Sequence, residues 1–296
     1  MHVSEVPVNS TVPRRQLGRE LRALRNKARL TVKLAAQELE ISEAKLWRIE
    51  TGQTALRSHD VEIMCRIYGA PPDLADALKG LAKETKGKGW WHAYGDVIPG
   101  DFDLYIGLEG AMSSLEQYST ELVPGLLQTP DYARALIQLL IPDLSDEELE
   151  RRVDLRIQRQ TLLTRSTAPP ELRIALNEAV IRRPLGGRAV MAAQLDHLAA
   201  MNELSNVTVH VIPFSKEGHQ GLGTGPFSLM RFPTTANGRD HEPPVVYVEG
   251  LTGALYLDKP HEIGRYAAAF DAIKNVALSR INSSSLCLAT AREMNG

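Results

Sequence analysis

The chain has 296 residues, 43% hydrophobic and 24% charged, with a formal net charge of −2. That length suggests two domains more readily than one, and the composition allows a substantial buried core. No apolar run approaches the ~20 residues of a membrane span, and the N-terminal MHVSEVPVNSTVPRR lacks the apolar stretch of a secretory signal, so a cytoplasmic protein with no membrane partner is expected. The charge is unevenly spread: residues 1–89 hold 16 Lys and Arg against 11 Asp and Glu, and the remainder 18 against 25. Residues 14–29 alone carry seven basic groups and one acid, Glu20. A basic N-terminal part points to a polyanion partner, and a solvated helix face is the plain alternative. The two cysteines, Cys65 and Cys287, read as buried free thiols.

Residues 1–13 read as a flexible tail. From Arg14 to about residue 82 the pattern is helical. Leu17, Leu21 and Leu24 mark a first helix. Thr31 reads as the N-cap of a second, ending near Leu39, and Ser42 as the N-cap of a third that stops at Gly52. Ser58 to Tyr68 forms a fourth, closed by Gly69, and Pro72 opens a fifth. Residues 83–102 are expected to be a linker whose aromatic half, Trp90, Trp91, His92 and Tyr94, docks onto the next domain, because adjacent tryptophans are rarely left in water; an aromatic box for a ligand is the other reading.

Residues 103–285 read as an α+β domain with a mixed sheet, and 286–296 as a tail. Residues 103–165 look mainly helical, with Thr129 capping one helix and Ser145 with Glu148 forming a capping box for another. ELRIAL, VTVHVI, FSLMRF and VVYVEG read as strands, with GALYLD a weaker fifth. The helix GRAVMAAQLDHLAAMNEL between the first two strands makes them parallel neighbours with a right-handed crossover. HEIGRYAAAFDAIKNVAL adds a closing helix. GLGTGP, residues 221–226, fails as a phosphate loop because no helix follows, and reads as a surface loop.

The stretch LTVKLAAQELEISEAKLWRIETGQ, residues 30–53, holds two short helices and a tight turn. Ile41, Leu46 and Ile49 can turn inward against Ala35, Ala36 and Leu39. Ser42, Glu43, Ala44, Lys45 and Arg48 then point outward. Lys45 or Arg48 can donate to guanine or phosphate, Glu43 can accept from cytosine, and Ala44 can meet a thymine methyl. Trp47 can cover core or lie along the DNA backbone. Helix-turn-helix proteins place such a helix in the major groove. Arg14, Arg15, Thr31, Lys33 and Arg57 are the expected phosphate contacts.

This stretch resembles the Xre-type, lambda-repressor-like helix-turn-helix family, in TVKLAAQELE and in ISEAKLWRIETGQ with its Glu50–Thr51–Gly52 turn. Val32 stands where many members have a phosphate-binding Gln, so that contact is lost here. Glu40 stands where many have a turn Gly, so either a left-handed glutamate costs about 1 kcal/mol or the turn has another shape. Further on, LYIGLEGAMSSLEQYSTELVPGLLQTPDYARALI, ALNEAVIRRPLGG, VTVHVIPFSKEGH and VVYVEG resemble the C-terminal domain of actinobacterial regulators of the Scr-type antitoxin-like, or WhiJ-like, kind. That resemblance implies a transcriptional regulator, antitoxin-like, often encoded beside a small protein partner.

In this second part, Asn177, Glu178, Arg182, Arg183, His219 and Glu249 form the candidate pocket. If the first two strands are parallel neighbours, the loops after them leave one sheet edge, where ligands of α/β sheets often bind. Such a set either binds a peptide terminus or a polar small-molecule effector, or is a structural salt-bridge network. The histidines show no metal-binding spacing, no cofactor is expected, and no catalytic residue is assigned; a Glu178/Glu249 acid–base pair is the one enzymatic option. The expectation is a DNA-binding regulator, a homodimer on double-stranded DNA, with a C-terminal domain for a partner or effector. Protein sequestration, or a ligand-binding domain tethered to DNA, is the alternative.

Overall fold

A computed structural model describes residues 11–85, 90–98, 102–216, 218–234, 242–251 and 253–296. It divides into two compact units. Of the described residues, the first takes those up to Gly95, then Phe102–Ala111, Thr234 and Glu242; the second takes the rest.

The first unit contains α1 (Thr11–Lys27), α2 (Val32–Glu38), α3 (Glu43–Glu50), α4 (Ser58–Ile67) and α5 (Pro72–Glu84). Their starts and stops follow local chemistry. The Thr31 hydroxyl accepts from Leu34 N–H and the Ser42 hydroxyl from Lys45 N–H, each satisfying a donor that the first helical turn leaves unpaired. Gly52 and Gly69 sit just past α3 and α4 at φ +76° and +68°, where a Cβ would be strained. Leu17, Leu21, Ala35, Ala36, Leu46, Ile49, Val61, Met64 and Leu78 form the buried core. α1 begins at Thr11, so residues 11–13 of the expected tail are helical; residues 1–10 lie outside those described.

The expected linker is partly built. α5 runs on to Glu84, and a 3₁₀ turn spans Trp90–Tyr94. Trp91 is buried, and its indole N–H donates to Asp103 in the first turn of α6 (Phe102–Ala111). The docking surface is thus α6, which belongs to the first unit. Trp90 stays partly exposed, edge-on to Trp91 and Tyr94.

The second unit holds six strands: β1 (Ser114–Ser119), β2 (Glu171–Asn177), β3 (Val207–Ile212), β4 (Phe227–Arg231), β5 (Val245–Gly250) and β6 (Gly253–Leu257). Their order is β3-β2-β1-β4-β5-β6, parallel from β1 to β3 and antiparallel from β1 through β4 and β5 to β6. The mixed sheet and the parallel β2–β3 pair match the sequence expectation. β1, in a region read as helical, does not.

α7 (Pro130–Leu140) and α8 (Asp146–Arg159) are capped by Thr129 and by the Ser145–Glu148 box. A one-turn α9 (Glu178–Arg182) follows β2, and α10 (Arg188–Met201) makes the crossover to β3. α11 (Gly221–Thr224) is a four-residue helix within the expected GLGTGP loop, and a strand follows it, as a phosphate loop would not allow. α12 (Pro260–Val276) lays Ile263, Phe270 and Ile273 over Tyr118, Ala175, Ile212, Phe227 and Val246 of the sheet. The expected tail at 286–296 is instead the end of α13 (Arg280–Asn295), which packs against α10.

α13 and α10 also close the β3 edge. The Asn202 amide donates to Val209 C=O and accepts from Val209 N–H, copying a neighbouring strand. Val211 N–H donates to the Ser283 hydroxyl, and Val211 C=O accepts from Leu278 N–H. A strand edge left open is a template for another chain, and here the Asn202 and Ser283 side chains and the Leu278 backbone occupy it.

Candidate nucleic-acid interface

α2 and α3 meet through a three-residue turn, Leu39–Glu40–Ile41. Glu40 takes the left-handed conformation, φ +54°, that a glycine would adopt more freely. Its side chain is exposed, and Ile41 N–H donates to Ala36 C=O across the turn.

The end of α3 is fixed by α1. Arg25 Nε donates to Glu50 Oε1 at 2.5 Å and its Nη2 to Oε2 at 2.9 Å, both side chains being buried. The carboxylate raises the Arg25 pKa, chiefly through that hydrogen bond. The Arg25 Nη1 also donates to Leu30 C=O, ahead of the Thr31 cap. Gly18 of α1 lies against the same helix end: a methyl group there would sit 2.5 Å from the Ile49 carbonyl oxygen and 2.8 Å from that of Glu50.

With Leu46, Ile49 and Glu50 turned inward, the residues left exposed are Ser42, Glu43, Ala44, Lys45, Trp47 and Arg48. All five expected base-contacting residues are therefore accessible, and Trp47 joins them. Of the expected phosphate contacts, Thr31, Lys33 and Arg57 are exposed. Two are corrected. Arg15 is buried, with Nε donating to Glu242 Oε1 at 2.6 Å, and Glu242 also accepts from Arg19 Nη1 at 2.8 Å. The Arg14 side chain is 11% exposed, 3.7 Å from Asp103, and burial lowers its pKa. These arginines face carboxylates supplied from residues 103 and 242, far along the chain. Sequence reasoning could not find Glu242, which lies 227 positions from Arg15. The exposed cations of α1 are instead Arg22 and Lys27, with Arg29 just beyond it.

In the second unit the C-terminal ends of β1, β2 and β3 share one sheet end, as expected of parallel neighbours. The candidate pocket residues do not converge there as a pocket. The Asn177 side chain caps α9 by accepting from Ala179 N–H. Glu178 is buried, accepting from Arg182 Nε at 3.0 Å and from Phe214 N–H at 2.7 Å. Arg182 also reaches Glu293, and Arg183 pairs with Glu121. The His219 ring meets Tyr118 edge-on, and a methyl at Gly221 would come within 2.7 Å of the Tyr118 hydroxyl and 2.8 Å of His219 Cε1, so the space between them is filled. Glu249 is exposed on β5, three strands from β2, a separation of about 14 Å at strand spacing. Glu178, Arg182 and Arg183 thus stand in ion pairs, as the alternative reading had it for them, whereas Asn177 caps a helix and His219 meets an aromatic ring.

Among the described residues there is no group of three or more His, Cys, Asp or Glu able to hold a metal, and no helix long and apolar enough to cross a membrane. Cys65 and Cys287 are buried free thiols.

Comparison with known families finds two matches. A model described as a helix-turn-helix domain covers residues 16–78. A model described as a domain of unknown function, DUF5753, covers residues 102–288, more than half of the chain. No curated protein and no solved structure matches the chain.

Proposed function

Because this chain belongs to the DUF5753 family and carries a helix-turn-helix domain ahead of that region, we propose that it is a sequence-specific, DNA-binding transcriptional regulator. The observation that carries the reading is the face of α3: core side chains behind, a Ser42 cap and tight turn before, and Glu43, Ala44, Lys45 and Arg48 exposed together. Glu43 accepts from cytosine N4, and Arg48 and Lys45 donate to guanine or phosphate. Thr31, Lys33 and Arg57 hold phosphates, with the exposed bases of α1 adding charge. The protein acts as a homodimer, since one such module covers only ~600–1,000 Å² of interface and two are needed for a symmetric operator. The C-terminal domain takes a small protein partner or an effector, in the antitoxin-like arrangement that the WhiJ-like resemblance implies, and the protein works in the cytoplasm.

The test is a gel shift and footprint on DNA upstream of the protein's own gene, with nonspecific competitor and a series of salt concentrations. A protected palindrome that Arg48→Ala abolishes is the expected result. Binding that is equally tight on every duplex, or absent, would remove the reading.

A further inference from the structure

We propose that Trp47 is an apolar specificity element, reading the 5-methyl group of a thymine in the major groove. The inference rests on the DNA-binding reading above and deepens it. Among described residues 11–85, only two large apolar side chains are exposed, Leu34 at 49% and Trp47 at 55%, and both lie in the helix-turn-helix. The core does not need the indole, because Leu46 and Ile49 already fill the inward side of α3. Trp47 lies four residues after Glu43 and three after Ala44, so it shares their outward face. Its backbone is well held: the Thr51 hydroxyl donates to the Trp47 carbonyl at 2.8 Å. Its indole N–H has no hydrogen-bond partner among the described residues.

An indole buries on the order of 150–250 Å² when it finds a partner. The base edges in the major groove present donors, acceptors and one projecting carbon group, the thymine methyl. An aromatic ring on a groove-facing surface therefore has one apolar target there. The exposed cations of α2 and α3, Lys33, Lys45 and Arg48, fit a polyanion. Ala44, one turn earlier, extends the same apolar strip.

The experiment uses the full-length protein. Binding sites are selected from a random duplex pool, and each thymine in the selected half-site is then replaced by deoxyuridine, which lacks only the methyl. Affinities of wild type, Trp47→Ala and Trp47→Phe are measured at one salt concentration. Expected is at least one thymine whose replacement weakens wild type about four-fold, the size of one buried methyl group, with no such loss in Trp47→Ala and a partial one in Trp47→Phe. Two results overturn the proposal: a selected site with no methyl dependence anywhere, or the same dependence in Trp47→Ala. Sedimentation of the same variants covers the competing occupant. If Trp47→Ala splits an oligomer while methyl dependence persists, the indole is a self-association contact and the proposal fails. If no sequence is selected at all, the DNA-binding reading itself falls and takes this proposal with it.

Discussion

Arg25 and Glu50 join the end of the first helix to the end of the third by two parallel hydrogen bonds, both groups being almost wholly removed from water. A charge pair held this way adds little net stability against apolar residues of the same shape, but breaking one side leaves the other uncompensated. Glu50→Gln is therefore expected to cost about 3–5 kcal/mol. The double replacement Arg25→Met with Glu50→Leu should recover most of that loss. Urea unfolding of the wild type, the single variant and the double variant measures it, and equal losses in the two variants would contradict it.

A second buried pair makes a similar prediction for a different reason. Glu242 is fully buried and accepts from both Arg15 and Arg19 of α1. Glu242→Gln keeps the shape and removes the charge, leaving Arg15 buried beside a neutral amide. A loss of about 3 kcal/mol is expected, read as a lower thermal midpoint. Arg15 also packs on Gly52, where a Cβ would lie 2.7 Å from the Arg15 Cα. Loosening Arg15 should consequently weaken operator binding, although Glu242 does not lie on α3.

Asn202 offers a test of the closed sheet edge. Asn202→Ala leaves the N–H and C=O of Val209 without the partners they now have. An unsatisfied buried backbone group costs about 1–3 kcal/mol, so a loss in that range is expected in urea unfolding. The variant should also aggregate more readily, since the β3 edge is reopened. Light scattering during mild heating distinguishes this from simple destabilisation: a variant equally destabilised elsewhere should scatter less.

His197 of α10 gives a pH dependence. Burial lowers its pKa from the ordinary 6.5, and its Nε2 has no hydrogen-bond partner among the described residues. The unfolded chain therefore takes up this proton at a higher pH than the folded one. As pH falls through about 6.5 the unfolded state binds more protons, and stability drops until the folded pKa is passed. The urea midpoint should fall between pH 7 and pH 5, and His197→Leu should flatten that slope. An unchanged slope would assign the dependence to other groups.

Much of this molecule was legible because its helix ends carry their own instructions. Thr31, Ser42, Thr129 and the Ser145–Glu148 box each use a side chain on a neighbouring backbone group, so a local reading finds them. β1 was not legible, because SLEQYS has no apolar alternation. Its Glu116 is buried only because Arg173 of β2 and Arg231 of β4 flank it, and those partners are 57 and 115 residues away. Residues 286–296 were read as a tail, yet they continue α13, where Cys287, Thr290 and Ala291 are buried. Ser283 is in fact buried, bonded to the β3 backbone. In the candidate interface, exposure of the α3 face followed from the motif, whereas the withdrawal of Arg14 and Arg15 depended on distant carboxylates.

The placement of α6 has a practical bearing on how this protein can be divided. Phe102–Ala111 opens the stretch that the DUF5753 model recognises, yet in space it is a wall of the helix-turn-helix unit: Gly107 lies so close to Thr11 of α1 that any side chain there would strike the threonine. A fragment ending at the close of α5 would discard that wall and expose the face of α1 beneath it, so the inheritable block and the foldable block are offset by one helix. The family match sets one boundary and the packing sets another.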